Sequence, residues 1–283
     1  MLKALKQARA AVSLLNPDEV ASRSRRPVHF GLVATSREAY SEMEDFLLPP
    51  STPLEDRTYL LDRLHRVGDP HVPDTVDLVL FEQGIPASKG TYTFYRENPG
   101  ATVTEILHGN DDIALALARQ YPAFRKPVLE RTIRSVAREN TLFAVATALP
   151  DVLPSLVELP WAFGEFASDT AFLTGNQIRM AFLIAAACGR EVGFGVQKGA
   201  ILSIAAGAFG WRAIARELIG KIPLGGGLIP KGAIAYAGTY VVGKSLELFY
   251  QERATYDPRQ RKAVYREALE RGREVAEAAA KVS

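Results

Sequence analysis

The pattern of apolar residues changes near residue 112, and this change limits the folds that the chain can adopt. Before it, apolar runs of strand length at 28–34 and 76–81 are separated by a segment of helical periodicity at 38–48. Residues 102–107 predict a third strand. Strands that alternate with helices indicate an α/β domain with a small, partly parallel sheet over residues 28–112.

Beyond residue 112 the sequence predicts helices alone. Glycine and alanine are dense in several of them, which permits close approach between helices. We expect an all-α, Gly/Ala-rich domain over residues 113–256 and a charged helix over 257–283, in which Asp257 and Pro258 supply the N-cap and the first turn. The predicted helices span residues 113–121, 127–149, 174–190, 199–220, 229–251 and 258–282.

The uncharged stretches of these helices are short. The longest, residues 199–211, has thirteen residues, whereas a membrane-spanning helix needs about 20 predominantly apolar residues. A packed helical domain, soluble or peripheral to a membrane, is therefore the favoured interpretation. An integral membrane protein, whose helices would insert as a group, stays open as an alternative.

The first 27 residues predict a basic amphipathic helix at 2–15 and a polar, basic linker at 22–27. A basic amphipathic helix can lie on an anionic lipid surface, while a docking helix followed by a solvated linker is the competing interpretation. The candidate lipid contacts are Lys3, Lys6, Arg9, Arg23, Arg25 and Arg26.

Charge is distributed unevenly along the chain. Residues 1–30 carry a net charge of +4, residues 31–112 of −9 and residues 113–283 of +7. The asymmetry favours attraction between the domains or a basic face for an anionic membrane, and we expect no nucleic-acid partner. The single cysteine, Cys188, excludes a disulfide within the chain, and no secretory signal is evident. We expect a cytoplasmic protein, with peripheral attachment at the inner face of the membrane as an option.

Residues 238–245 match the phosphate-loop pattern G-x-x-x-x-G-K-[ST] through Gly238, Gly243, Lys244 and Ser245. Such a loop requires a strand before it and a sheet that supplies further nucleotide-binding groups. Only 38 residues follow Ser245, and they predict helices. We therefore expect a Gly-containing buried helix here, with a divergent GTP- or ATP-binding loop that uses magnesium as the alternative.

The first strand–turn–helix unit is where a phosphate loop would belong in an α/β domain. In the frame of residues 34–41, Ala34 and Ala39 replace both glycines, Tyr40 replaces the lysine, and only Ser41 matches. Without glycines a Cβ obstructs the approach of phosphate, and without lysine a main positive charge is lost. Asp77 and Glu82 flank a buried strand, where a magnesium-binding acid would sit in a nucleotide fold, but without a phosphate loop neither has that role.

Other catalytic chemistry has no support in the sequence. His29, His65, His71 and His108 lack the close spacing of a metal site, and neither H-E-x-x-H nor C-x-x-C occurs. No catalytic residue, metal ligand or cofactor is predicted.

The helical half resembles the hydrophobic helical domain of YcjF type over about residues 113–252. Such a domain commonly follows an Era-like GTPase domain, and the resemblance implies that residues 28–112 form a shrunken GTPase-like fold without its motifs. It also implies association with a membrane. The residues that carry it are Arg125, Asn140, 146–150, Asp169, 173–177, 211–212, 215–218 and 229–239.

The sequence therefore favours a non-catalytic, membrane-associated or adaptor protein, in which a GTPase-like module without nucleotide chemistry precedes a helical domain. That domain would bind a membrane surface or a protein partner, with self-association as a further option. A divergent nucleotide-binding protein that uses residues 238–245 and an integral membrane protein are the alternatives.

Overall fold

The computed structural model describes residues 16–66, 76–86, 88–147, 169–205 and 227–282. Two compact units divide the chain. The α/β unit comprises Ala21–Glu130 with Ala186–Gly189, and the helical unit comprises Met1–Val20, Arg131–Ala185 and Arg190–Ser283.

Ten elements precede residue 147 in the described part of the chain. They are α1 (Pro17–Arg25), β1 (Phe30–Val33), α2 (Arg37–Leu47), α3 (Leu54–Leu61), β2 (Leu64–Arg66), β3 (Leu78–Glu82), β4 (Tyr92–Phe94), α4 (Pro99–Gly109), α5 (Ala114–Gln120) and α6 (Pro122–Ala146).

The four strands form one sheet in the order β2-β1-β3-β4, and every neighbouring pair is parallel. This confirms the expectation of a small sheet in an α/β layer. Phe30, Gly31 and Leu32 of β1 are all buried, as expected for a central strand covered on both faces. The strand order reverses between β1 and β3, the position at which open parallel sheets form a crevice at their carboxyl edge.

The third predicted strand is wrong, because residues 102–107 lie in α4. Pro99 suits the first turn of a helix, and Val103, Ile106 and Leu107 are buried at helical spacing. Strands β2 and β4 were not predictable, because each has only three residues and neither is a continuous apolar run.

The predicted linker at 22–27 is also wrong over most of its length. Helix α1 continues to Arg25, and Asn16 caps it by accepting a hydrogen bond from the Glu19 amide at 3.1 Å. The amphipathic helix predicted at 2–15 lies outside the described residues.

Helix α5 and the start of α6 belong to the α/β unit, so the units divide between Glu130 and Arg131 rather than after residue 112. The reason is that side chains of these two helices form hydrogen bonds with the backbone at the start of β1. The Gln120 side chain accepts a hydrogen bond from the Val28 amide at 3.2 Å, and the Tyr121 hydroxyl donates one to the Val28 carbonyl at 2.6 Å. The Tyr121 ring also meets Phe30 edge-on.

The helical unit contains the rest of α6 together with α7 (Asp169–Ala187), α8 (Lys198–Ala205), α9 (Leu228–Glu252) and α10 (Pro258–Val282). Helix α10 begins where the sequence predicts. Asp257 accepts hydrogen bonds from the amides of Arg259 and Gln260, and the Gln260 side chain accepts one from the Asp257 amide at 3.0 Å. This reciprocal capping fixes the turn between α9 and α10.

Close packing between α9 and α10 depends on glycine. A Cβ added at Gly272 would lie 2.8 Å from the carbonyl oxygen of Ala233. Because that oxygen belongs to the backbone, the helices would have to separate to admit a methyl group.

We therefore expect Gly272→Ala to lower the free energy of unfolding by about 1–3 kcal/mol, although alanine favours helix more than glycine does. Chemical denaturation followed by circular dichroism measures it. Gly199→Ala is the matched control, because a Cβ there meets no atom within 4 Å. Equal effects of the two substitutions would contradict the packing argument.

Candidate functional site

The carboxyl edge of the sheet between β1 and β3 is the first candidate site, because ligands bind at this position in open parallel sheets. Three residues, Ala34 to Ser36, connect β1 to α2. Ser36 caps α2, and its hydroxyl accepts a hydrogen bond from the Ala39 amide at 3.1 Å. The loop is therefore short and its helix is capped from within the chain.

Glu82, at the end of β3, accepts the hydrogen bonds that Thr35 of this loop donates. Its Oε2 accepts hydrogen bonds from the Thr35 amide at 2.8 Å and from the Thr35 hydroxyl at 2.7 Å. The backbone hydrogen bond, then the hydroxyl and the charge of Arg96, lower the pKa of Glu82 below its usual value although desolvation opposes them. The loop thus holds an ionised carboxylate of the chain itself.

The rest of the degenerate phosphate-loop frame is helix. Helix α2 begins at Arg37, so Ala39, Tyr40 and Ser41 lie in its first turns. The Ser41 hydroxyl donates to the Arg37 carbonyl, and the Tyr40 ring lies under the Arg66 guanidinium. These side chains already have partners within the α/β unit.

At the opposite end of β3, Asp77 precedes the strand and serves the chain rather than an open site. One carboxylate oxygen accepts a hydrogen bond from the His29 amide, and the other accepts one from Arg26, both at 2.9 Å. Arg26 also reaches Asp112 at 3.3 Å. Arg26, a predicted lipid contact, therefore has two carboxylate partners.

The other predicted lipid contacts are placed as follows. Arg23 and Arg25 lie in the last turn of α1 with exposed side chains. Lys3, Lys6 and Arg9 lie outside the described residues.

The literal phosphate-loop pattern at 238–245 lies wholly within helix α9. Its backbone amides are therefore those of a continuous helix and do not form a cradle. The Ser245 hydroxyl donates to the Val241 carbonyl at 2.7 Å, and Lys244 pairs with Glu247 one turn on. A Cβ on Gly243 would lie 2.7 Å from the Ile133 side chain. Gly243 thus serves helix packing.

Several residues that carry the resemblance meet in one buried polar cluster formed by α6, α7 and α9. The Asn140 side chain donates to the Thr239 hydroxyl at 2.8 Å and accepts from Asn176 at 2.9 Å. Gln177 donates to the same hydroxyl at 3.4 Å. Spacing along the sequence could not show that Asn140, the adjacent pair Asn176 and Gln177, and Thr239 converge.

This cluster is fully desolvated, and one of its acceptors lacks a partner. Asn140 and Asn176 have no exposed surface, and the Asn176 Oδ1 atom accepts no hydrogen bond from the described residues. Two asparagines, a glutamine and a threonine have no group that titrates near neutral pH. The cluster is suited to fixing the register of three helices, not to acid–base chemistry.

Other residues of the resemblance have separate positions. The Arg125 guanidinium donates to the carbonyls of Ala118, Arg119 and Ala187 in the α/β unit. Residues 148–150, 211–212 and 215–218 lie outside the described part, as does the side chain of Asp169.

Two histidines that are distant in sequence are neighbours in the α/β unit. The rings of His29 and His65 are stacked, and Nδ1 of His29 lies 3.0 Å from Nε2 of His65. His108 lies in the last turn of α4, and His71 is outside the described part. Within the described ranges, no three His, Cys, Asp or Glu side chains are grouped so that they could hold a metal.

Among the described helices, none combines the length and the apolar character that a membrane crossing requires.

Comparison with known proteins adds no relative. No family model matches the chain, and no curated protein or solved structure matches it significantly.

The polar cluster makes a stability prediction. Asn140→Ala should lower the free energy of unfolding by about 2–4 kcal/mol, because it leaves Thr239 and Asn176 buried with fewer partners. Thr141→Val is the matched control, since Thr141 is equally buried but its hydroxyl bonds only to Ala137 of the same helix. Its cost should stay below about 1 kcal/mol. A similar loss for both variants in urea denaturation would refute a special role for the cluster.

The contact between Glu82 and Thr35 should make the free energy of unfolding depend on pH. Because folding lowers the pKa of Glu82, its contribution to stability is fully present above the usual value of 4.5 and is lost as pH falls through the lower folded pKa. The difference in unfolding free energy between the wild type and Glu82→Gln should therefore shrink below about pH 4.5. Denaturation at several pH values measures it, and a difference that is constant with pH would argue against an ionised Glu82 on Thr35.

Proposed function

We propose that this chain is a non-catalytic adaptor, in which a GTPase-like α/β module without nucleotide chemistry is joined to a helical unit that binds an anionic membrane surface. The observation that carries the proposal is the Glu82 carboxylate on the amide and hydroxyl of Thr35. That carboxylate lies at the strand-order reversal, where a nucleotide phosphate would bind in a parallel sheet of this type.

Two physical effects oppose a nucleotide at this edge. A phosphate would compete with Glu82 for the Thr35 amide and hydroxyl, and the two anions would repel each other. Helix α2 also places the uncharged Tyr40 where the lysine of the phosphate-loop pattern would stand, so that position offers no positive charge to a phosphate.

The helical unit offers features that suit an anionic interface. Val196 and Leu202 expose 60% and 59% of their surfaces beside and on α8. Residues 131–283 also carry a net charge of +5. Exposed apolar side chains within a basic segment are typical of peripheral membrane contact, in which apolar insertion and charge attraction act together.

Nucleotide titration tests the first half of the proposal. Fluorescent GTP and ATP analogues with Mg²⁺ should give no saturable signal with the full chain, because both phosphate-loop frames are occupied by helix or by Glu82. Lys244→Ala is the diagnostic variant. Micromolar affinity or hydrolysis that is lost in Lys244→Ala would overturn the proposal in favour of a divergent nucleotide-binding protein.

Vesicle sedimentation tests the second half. The chain should sediment with vesicles that contain phosphatidylglycerol, less so as salt rises, and not with neutral phosphatidylcholine vesicles. The double variant Val196→Gln, Leu202→Gln should bind more weakly. Leu54→Gln is the matched control, since Leu54 of α3 is 79% exposed but lies in the α/β unit. Absence of sedimentation with anionic vesicles would leave a protein partner in place of the membrane.

A further inference from the structure

A cavity of about 650 Å³ lies in the helical unit. Its volume falls within the range of roughly 300–1,000 Å³ that is typical of small-molecule sites. Its walls come from the segment around α8, from the end of α9 and from the start of α10. It is separate from the carboxyl edge of the sheet and from the buried polar cluster.

The wall of the cavity is rich in positive charge. Arg190, Arg253 and Arg261 line it, and Glu191 is the one acid among the lining residues that the structure describes. Arg261 donates one hydrogen bond to the Tyr256 carbonyl at 3.1 Å, while its buried Nε finds no acceptor in the described part of the chain. Several guanidinium groups on one wall favour an anionic ligand, because their hydrogen bonds to a carboxylate or phosphate are charge-assisted.

A second arginine is held at the cavity by the end of α9. Arg253 adopts a left-handed conformation with φ of 57°, and its amide bonds to the Phe249 carbonyl at 3.0 Å. Its guanidinium lies 5.6 Å from the centre of the Phe249 ring. Such stacking orients the guanidinium while its N–H groups stay available at the ring edge.

The remaining wall is largely apolar. Leu246 and Phe249 of α9 and Ala200 of α8 face the cavity together with Val196. Tyr256 adds a hydroxyl, and burial raises its pKa, so it remains a neutral donor at physiological pH. An apolar wall with guanidinium groups at one side matches a ligand that has both an apolar body and an anionic head.

The rim of the cavity is ordered by its own hydrogen bonds. Gln197 is 2% exposed, and its side chain accepts from the Gly193 amide at 2.7 Å and donates to the Glu191 carbonyl. Arg190 donates to the Tyr250 carbonyl at 3.1 Å. A site that is ordered before binding loses less conformational entropy when a ligand enters.

We infer that this cavity binds a single-chain amphiphile with a carboxylate or phosphate head. Arg261 and Arg253 hold the head, and the alkyl chain lies against Leu246 and Phe249. The inference rests on the cavity alone and does not depend on membrane attachment, which the vesicle experiment tests separately.

Calorimetric titration of the full chain with dodecanoate and with dodecyl phosphate, both below their micelle concentrations, tests the inference. We expect saturable binding of one equivalent of at least one anion, and binding of neutral dodecanol at least about tenfold weaker, because a hydrogen bond to a charged head is lost. No saturable binding of either anion, or equal binding of dodecanol, would overturn the inference.

Three variants locate the site. Arg261→Gln should weaken anion binding about tenfold, and Ala200→Trp should abolish it by filling the cavity. Arg259→Gln is the matched control, since it removes an exposed charge from the same turn of α10 without touching the wall. Thermal unfolding checks that each variant is folded, and Arg253→Gln replaces any variant that is not. Wild-type affinity in both Ala200→Trp and an arginine variant would exclude this cavity.

Native mass spectrometry after incubation with vesicles that contain a lysophospholipid, which has one acyl chain, or with free fatty acid distinguishes two sources of the same head-group chemistry. A retained phospholipid indicates that the ligand comes from a bilayer, and a retained acid indicates a free amphiphile. Retention of neither would overturn the inference, because charge-assisted hydrogen bonds between guanidinium groups and an anionic head strengthen without water and should hold the ligand in the gas phase.

Discussion

The α/β unit depends on how the central strand β1 is held at its two ends. At its start, Gln120 and Tyr121 bond to the backbone of Val28, which brings α5 and the beginning of α6 onto the sheet. At its end, Thr35 bonds to Glu82 and so ties β1 to the end of β3. A short four-stranded sheet has little core of its own. Hydrogen bonds at both ends of β1 therefore hold the unit together, and the bonds between Glu82 and Thr35 lie at its carboxyl edge.

The helical unit follows a different rule, in which close approach between helices decides what each glycine and polar residue does. Gly243 and Gly272 lie where a Cβ would meet atoms of a neighbouring helix at less than 3 Å. Asn140, Asn176 and Thr239 then bond across three helices that this packing brings together. Hydrogen bonds in so dry an interior are directional, so they specify one register where apolar packing alone would allow several.

These two rules explain how far the sequence could predict the structure. Helices with a clear apolar period or a strong cap were predictable, as α2 and α10 show, and so was the helical state of residues 238–245. Strands of three residues carry too little periodicity to detect, and residues 102–107 misled because a short apolar run fits a strand or a helix equally well. The Glu82 contact and the cavity of Arg253 and Arg261 required the tertiary fold, since each joins residues that no local pattern connects.

The phosphate-loop pattern at 238–245 shows that the surrounding secondary structure decides the role of a motif more than its residue types do. The same glycine that would let a backbone wrap phosphate also lets two helices touch, and the surrounding elements decide between these uses. Helix α9 continues through both glycines. Lys244 therefore forms a salt bridge with Glu247, and the Ser245 hydroxyl donates a hydrogen bond to the Val241 carbonyl of the same helix. At the sheet edge the topology for phosphate is present, but Glu82 supplies the negative charge itself. The positive charges that face a cavity are instead those of Arg253, at the end of α9, and Arg261, near the start of α10. The cavity that they line is partly apolar. Anion recognition in this chain is therefore expected in its helical unit, at the C-terminal end of the helix that carries the motif and at the start of the helix that follows.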